Sequence, residues 1–193
     1  MADDNTEDNK EVVIQGLVSD NEPLNIRIDT STRAMMVIEY AHHEIHSGDS
    51  FTWSESTDVG ASTDFDLVVT TPNTTTWAHM TYSIISEAEG EIQIYENCTP
   101  TTDGTARTPL NRNRNSAGVA TATVQRIPTL ATPGSLIEVI HFGSGKSVGG
   151  DNREASEWIL KQNEDYLFRV INATSSANQM TIKFDWYEHE DKS

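Results

Sequence analysis

From Glu11 onward the chain is interrupted at short intervals, and no strand-forming run exceeds about nine residues before a turn-forming cluster stops it. The runs are rich in Val, Ile, Tyr, Phe, Trp and Thr: Val12–Val18, Met35–Tyr40, Phe65–Thr70, Trp77–Ile85, Glu91–Tyr95, Val119–Ile127, Leu136–Phe142, Glu157–Lys161, Tyr166–Ile171 and Met180–Tyr187. Between them stand Ser47-Gly48-Asp49, Thr71-Pro72-Asn73, Asp103-Gly104, Thr132-Pro133-Gly134 and Gly149-Gly150-Asp151. Gly, Pro and Asn in such positions set the dihedrals that tight reversals need. Two-residue alternation is plain at Met180, Ile182, Phe184 and Trp186, which oppose Thr181, Lys183, Asp185 and Tyr187. That pattern predicts a half-buried strand with Trp186 inward and Tyr187 outward. Arg153–Asn163 has helix formers but reads equally well as a hairpin, and Ser31–Glu44 carries no clean helical stripe. About ten short strands with almost no helix predict an all-β fold, an antiparallel sandwich of jelly-roll type. No repeat or linker divides the chain, so residues 11–193 are expected to form one domain, preceded by a disordered acidic arm over Met1–Lys10.

A chain of 193 residues can bury roughly 70% of its unfolded surface in one domain. Its hydrophobic fraction is 36%, below the usual value of about 45–50%; a sandwich with polar outer faces accommodates that deficit. The charge is lopsided, 30 acidic against 13 basic residues, net −17. Such a field repels nucleic acid and keeps a concentrated protein in solution. The single Cys98 cannot form an intramolecular disulfide. No basic-then-apolar leader opens the sequence and no apolar run is long enough to span a bilayer, so a chain made in the cytoplasm, without a membrane partner, is expected.

The motifs that carry chemistry are weak. Gly143–Ser147 reads GSGKS, the end of a phosphate-binding loop, but the position needing the first glycine is Ile140 and Val148-Gly149-Gly150 follows in place of a helix start. In His42-His43-Glu44-Ile45-His46 the helical zinc-protease motif fails because it needs Glu directly after the first of two histidines four apart, and His43 occupies that place. On a strand, His42, Glu44 and His46 would share one face with the outer two roughly 13 Å apart, too far for one ion. No serine sits in a nucleophile elbow. Cys98 has an acid, Glu96, two residues before it and no base beside it, which dulls a thiol. Thirty acids offer chance carboxylate pairs without singling one out, and the sequons at Asn73, Asn97 and Asn172 carry no weight in a chain without a leader. No catalytic residue, metal or cofactor is assigned.

The basic residues are more informative. Arg107, Arg112, Arg114 and Arg126 lie within twenty residues, and the 107–116 stretch RTPLNRNRNS contains no acid. Guanidinium groups suit bidentate recognition of carboxylates. Two readings stand side by side: internal pairing with the chain's own acids, or a contact surface for another acidic protein or a neighbouring copy.

Several strings in order give a resemblance covering most of the chain. They are HHEIHSGDSF (His42–Phe51), the TPN turn with His79 after it, and DGT…TPLNRNRNS (Asp103–Ser116). HFGSGKSVGG (His141–Gly150), EWILKQN (Glu157–Asn163) and DWYEH (Asp185–His189) complete them. From about Val37 to Glu190 the chain resembles small structural proteins encoded near the capsid genes of tailed bacteriophages. The resemblance implies a virion location and a capsid decoration or auxiliary role. The partners it implies are the major capsid protein or other virion proteins, and a homo-oligomer, a trimer at a threefold position. Two alternatives are kept: a fibre, collar or tail component with a glycan-binding face, which exposed Trp53, Trp77, Trp158 or Trp186 would favour, and a sandwich-fold glycoside hydrolase, marked by two carboxylates about 5–10 Å apart in a cleft.

Overall fold

The computed structural model describes residues 15–17, 23–25, 40–143, 147–149 and 157–190. The chain divides into two units, Met1–Glu39 and Tyr40–Ser193. In the first, β1 (Gln15–Leu17) and β2 (Pro23–Asn25) pair antiparallel. The expected arm over Met1–Lys10 lies outside the described residues, as do positions 35–39 of the expected strand ending at Tyr40.

The second unit opens with α1 (Tyr40–Ser47), followed by β3 (Ser50–Val59), β4 (Asp64–Thr70), β5 (Thr76–Ser86) and β6 (Gly90–Glu96). Shorter strands follow: β7 (Thr99–Thr102), β8 (Thr105–Arg107), β9 (Leu110–Asn111), β10 (Thr123–Arg126) and β11 (Thr129–Thr132). The last five are β12 (Ser135–Phe142), β13 (Ser147–Gly149), β14 (Trp158–Ile159), β15 (Asp165–Asn172) and β16 (Asn178–Glu190). One sheet has the order β12-β6-β15-β4-β10-β8, the other β13-β5-β16-β3-β9 with β14 also on β5. The pairings are antiparallel. Consecutive strands β3, β4, β5 and β6 alternate between the sheets, while β15 inserts between β6 and β4, and β16 between β5 and β3. The all-β antiparallel sandwich expected from the sequence is the fold observed, with the sheet-to-sheet crossing typical of Greek-key sandwiches.

The alternation of β16 sets the core. Met180, Ile182, Phe184 and Trp186 are fully buried, and Phe184 meets Phe168 of β15 edge-on, centroids 4.7 Å apart. Leu67 and Val69 of β4, Ile92 and Ile94 of β6, and Met80 and Ile84 of β5 close the same cluster. Burial of each such side chain is worth about 1.5–3 kcal/mol. On the outer face of the first sheet, Val68, Leu167 and Cys98 form a smaller cluster flanked by Tyr95 and Leu130. Burial, then Asp165, pushes the Cys98 thiol up to about 12, which keeps it protonated and unreactive near neutrality.

Two local expectations are corrected. Tyr187 does sit opposite Trp186 across the strand, but it is buried: His79 stacks on it at 4.7 Å and its hydroxyl donates to Glu157 Oε1 at 2.9 Å. Residues 40–47, expected as the end of a strand and its continuation, are a helix. Its stop is the Gly48 turn read from the sequence. Gly48 adopts φ +86°, and the Gly48 and Asp49 amides return to the Ile45 and Glu44 carbonyls at 3.2 and 3.0 Å. This is the Schellman arrangement that ends helices at glycine.

Candidate functional site

The four arginines singled out in the sequence separate into two pairs. Arg107 and Arg126, on β8 and β10 at the edge of the first sheet, both reach Glu55 on β3 of the second. Arg107 Nε donates to Glu55 Oε2 at 3.0 Å, and Arg126 Nε forms an ion pair with Glu55 Oε1. Arg126 also donates to Thr57 Oγ1 at 3.1 Å and lies over the Phe65 ring, 5.9 Å from its centroid. Glu55 and Thr57 share the inward phase of β3 with Phe51, Trp53 and Val59. The two guanidiniums therefore neutralise an acid at the open side of the sandwich, holding edge to edge. For these two residues the internal reading is the one observed.

Arg112 and Arg114 are both exposed, in the loop after β9. The Arg-Asn alternation has a local cause. Asn111 is buried; its amide donates to the Gly48 and Gly118 carbonyls at 2.6 and 3.1 Å, and its oxygen accepts the Asn113 amide at 2.9 Å. Asn113 repeats the motif one step on, accepting the Asn115 amide at 3.1 Å, while its own side chain donates to the His46 carbonyl at 3.2 Å. Asparagines thus fold the loop through their own backbone; the intervening arginines stay exposed, with Arg114 Nη1 donating to the Asn111 carbonyl at 3.3 Å. A Cβ at Gly48 would collide with Ser116, so loop and helix end are in close contact.

The consequence is a corner that the sequence did not predict. The Arg112–Arg114 loop and the histidine-bearing α1, more than sixty residues apart, meet there with His42, His43, His46, Arg112 and Arg114 all exposed. Beneath them lie acids. Glu188, at the inward end of β16, is buried and accepts the Thr121 amide (2.9 and 3.1 Å), the Ala122 amide (3.0 Å), the Thr121 hydroxyl (2.5 Å) and Trp186 Nε1 (2.9 Å). Its charge is held by oriented dipoles and fixes the segment leading into β10. Glu44 is buried under α1. Asp49 is held above the ordinary carboxylate value by desolvation first and then by the charges of Glu44 and Glu188. Arg112 and Arg114 thus stand exposed at one corner of a chain whose net charge is −17.

His42, Glu44 and His46 do not share a strand face. On the helix Glu44 turns inward, while His42 and His46, one turn apart, approach with Nε2 to Nε2 at 3.0 Å. The distance argued from a strand rise no longer applies. Among the described residues no three His, Cys, Asp or Glu side chains converge as a metal cage.

Of the tryptophans, Trp53 and Trp186 are core, Trp158 packs at its margin and Trp77 is exposed. A cleft on the first sheet is lined by Val68, Thr70, Pro100, Asp103, Thr123, Gln125, Pro128 and Asp165; Thr70 donates its hydroxyl to Asp165 Oδ1 at 2.5 Å. The GSGKS string runs through residues outside the described set into the strand β13. Asn172 is fully buried, its amide donating to the Val59, Gly60 and Ser176 carbonyls at 2.7–2.9 Å. Neither protein-family models nor curated protein sequences match the chain.

Proposed function

We propose that the protein is a structural component of a tailed-bacteriophage virion, a capsid decoration or auxiliary protein that binds the head lattice through the corner carrying Arg112 and Arg114. The observation that carries this reading is the exposed, acid-free Arg112–Arg114 loop, held against the end of α1 on a chain whose net charge is −17. A tightly packed sandwich suits a role in which the protein holds its shape on a particle. Each contact can be weak, because repetition over a lattice supplies avidity, and closed symmetry presents the same corner on every subunit. The major capsid protein is the proposed partner, with self-association into a trimer as the arrangement for a threefold position.

The test separates the two arginine pairs. Arg112→Glu with Arg114→Glu should abolish particle occupancy while thermal stability stays within about 0.5 kcal/mol of wild type, as for exposed substitutions generally. Unchanged occupancy and unchanged mass in solution would remove the corner from the contact. A fibre or tail component with a glycan-binding face is the second reading, and exposed Trp77 beside the Thr74–Thr76 loop is what favours it. Quenching of tryptophan fluorescence by host glycans, lost in Trp77→Ala, would support that reading against the first.

A further inference from the structure

We propose that His42 and His46 form a two-nitrogen chelate for a borderline divalent transition metal, Cu2+ in preference to Ni2+ or Zn2+. Residues four apart on a helix project from the same face, and here the two Nε2 atoms lie 3.0 Å apart, with ring centroids 4.8 Å apart and planes 63° apart. A metal bound at about 2.0–2.1 Å from each nitrogen would subtend an angle of roughly 90–95° at this separation. That is a cis angle of tetragonal or octahedral coordination, which Cu2+ and Ni2+ favour. Tetrahedral Zn2+ would need the nitrogens about 3.3 Å apart, so the rings would have to open slightly. Affinity order for nitrogen donors points the same way, with Cu2+ at its peak.

The surroundings suit ligation. Both rings are exposed, so metal can enter without opening the fold. The helix carrying them is fixed at its end by the Gly48 turn and by Asn113 donating to the His46 carbonyl at 3.2 Å. Little ordering is then required when the ion binds, which favours affinity. The approach of the two rings without metal requires one Nε2–H to donate to the other ring's lone pair, because two imidazoliums would oppose N–H to N–H. Metal binding uses the same two atoms: the donor ring takes its Nδ1–H tautomer, so both Nε2 lone pairs are available to the ion and no net proton is lost.

The experiment is titration of the full chain with CuCl2 alone, followed by calorimetry and by electron paramagnetic resonance. One Cu2+ per chain with hyperfine structure from two nitrogens is expected. His42→Ala and His46→Ala should each weaken uptake by at least about tenfold and to a similar level, because a chelate fails when either arm is removed. His43→Ala and His141→Ala should leave uptake unchanged. Far-UV circular dichroism of each variant distinguishes a lost ligand from a lost fold. Absence of uptake by the wild-type chain, or full uptake by either His42→Ala or His46→Ala with the fold intact, would overturn the assignment.

Discussion

Asp49 is the residue at which local strain is easiest to read. It follows the helix-ending glycine, and its backbone is committed at both ends, the amide to Glu44 and the carbonyl to the Glu188 amide at 2.9 Å. Its carboxylate is partly exposed, yet desolvation and then the charges of Glu44 and Glu188 raise its pKa above 3.8, with His43 acting in the opposite direction. A folded-state pKa raised above the unfolded value means the native state holds its proton more tightly. The cost of ionised Asp49 is therefore present at neutral pH and is relieved as pH falls through the raised folded value toward the unfolded one. Asp49→Asn should raise the melting temperature at pH 7, and the gain should shrink as pH is lowered toward about 4. Asp103→Asn, at an exposed loop position, controls for the removal of one negative charge in general. Equal gains from the two variants at every pH would show that the position of Asp49 is irrelevant. Glu188, by contrast, is buried among donors that complement it.

At the scale of the element, β3 explains both what was legible and what was not. Its inward positions read Phe51, Trp53, Glu55, Thr57, Val59, so a polar pair interrupts the apolar alternation and the segment was not recognised as a strand. Glu55 is tolerable there because Arg107 and Arg126 come from the opposite sheet to meet it. Glu55→Ala leaves two half-buried guanidiniums without their acid and should cost about 1–3 kcal/mol, measured by chemical denaturation, after allowing for the pair's partial exposure. A loss below about 0.5 kcal/mol would show the edges hold without it. The long core strands β4, β5, β6, β15 and β16 are legible because most of their inward residues are apolar at every second place. The helix was not. It is eight residues long with Glu44 on its buried side and histidines on its exposed side, so no apolar stripe marks it; only His46-Ser47-Gly48 hinted at a helix stop. The basic corner was half legible: the arginine run is a feature of sequence, but its meeting with α1 is made by asparagine side chains bonding to backbone, which no pattern of hydrophobicity records.

Across the whole molecule, the excess of acid sets the response to salt. Ion pairs such as Arg169 with Asp66 at 2.7 Å and Asp64 at 3.0 Å weaken as ions screen them. Against them stands repulsion among uncompensated carboxylates, net −17, which the same screening relieves. With 30 acidic against 13 basic residues, repulsion outweighs pairing, so the melting temperature should rise between about 0.05 and 1 M NaCl, where the screening length falls from above 10 Å to about 3 Å. A fall over that range would mean that the pairs outweigh the repulsion. The placement of β15 and β16 has a consequence of another kind. Each lies between two strands made much earlier in the chain, so β3, β4, β5 and β6 have empty seats beside them until residues 165–190 leave the ribosome. Completing either sheet therefore needs pairings between segments far apart in the chain, which slows folding relative to local contacts. The corner that carries Arg112 and Arg114, anchored through the bonds of Glu188 on β16 to Thr121 and Asp49, comes into being only once β16 is in place.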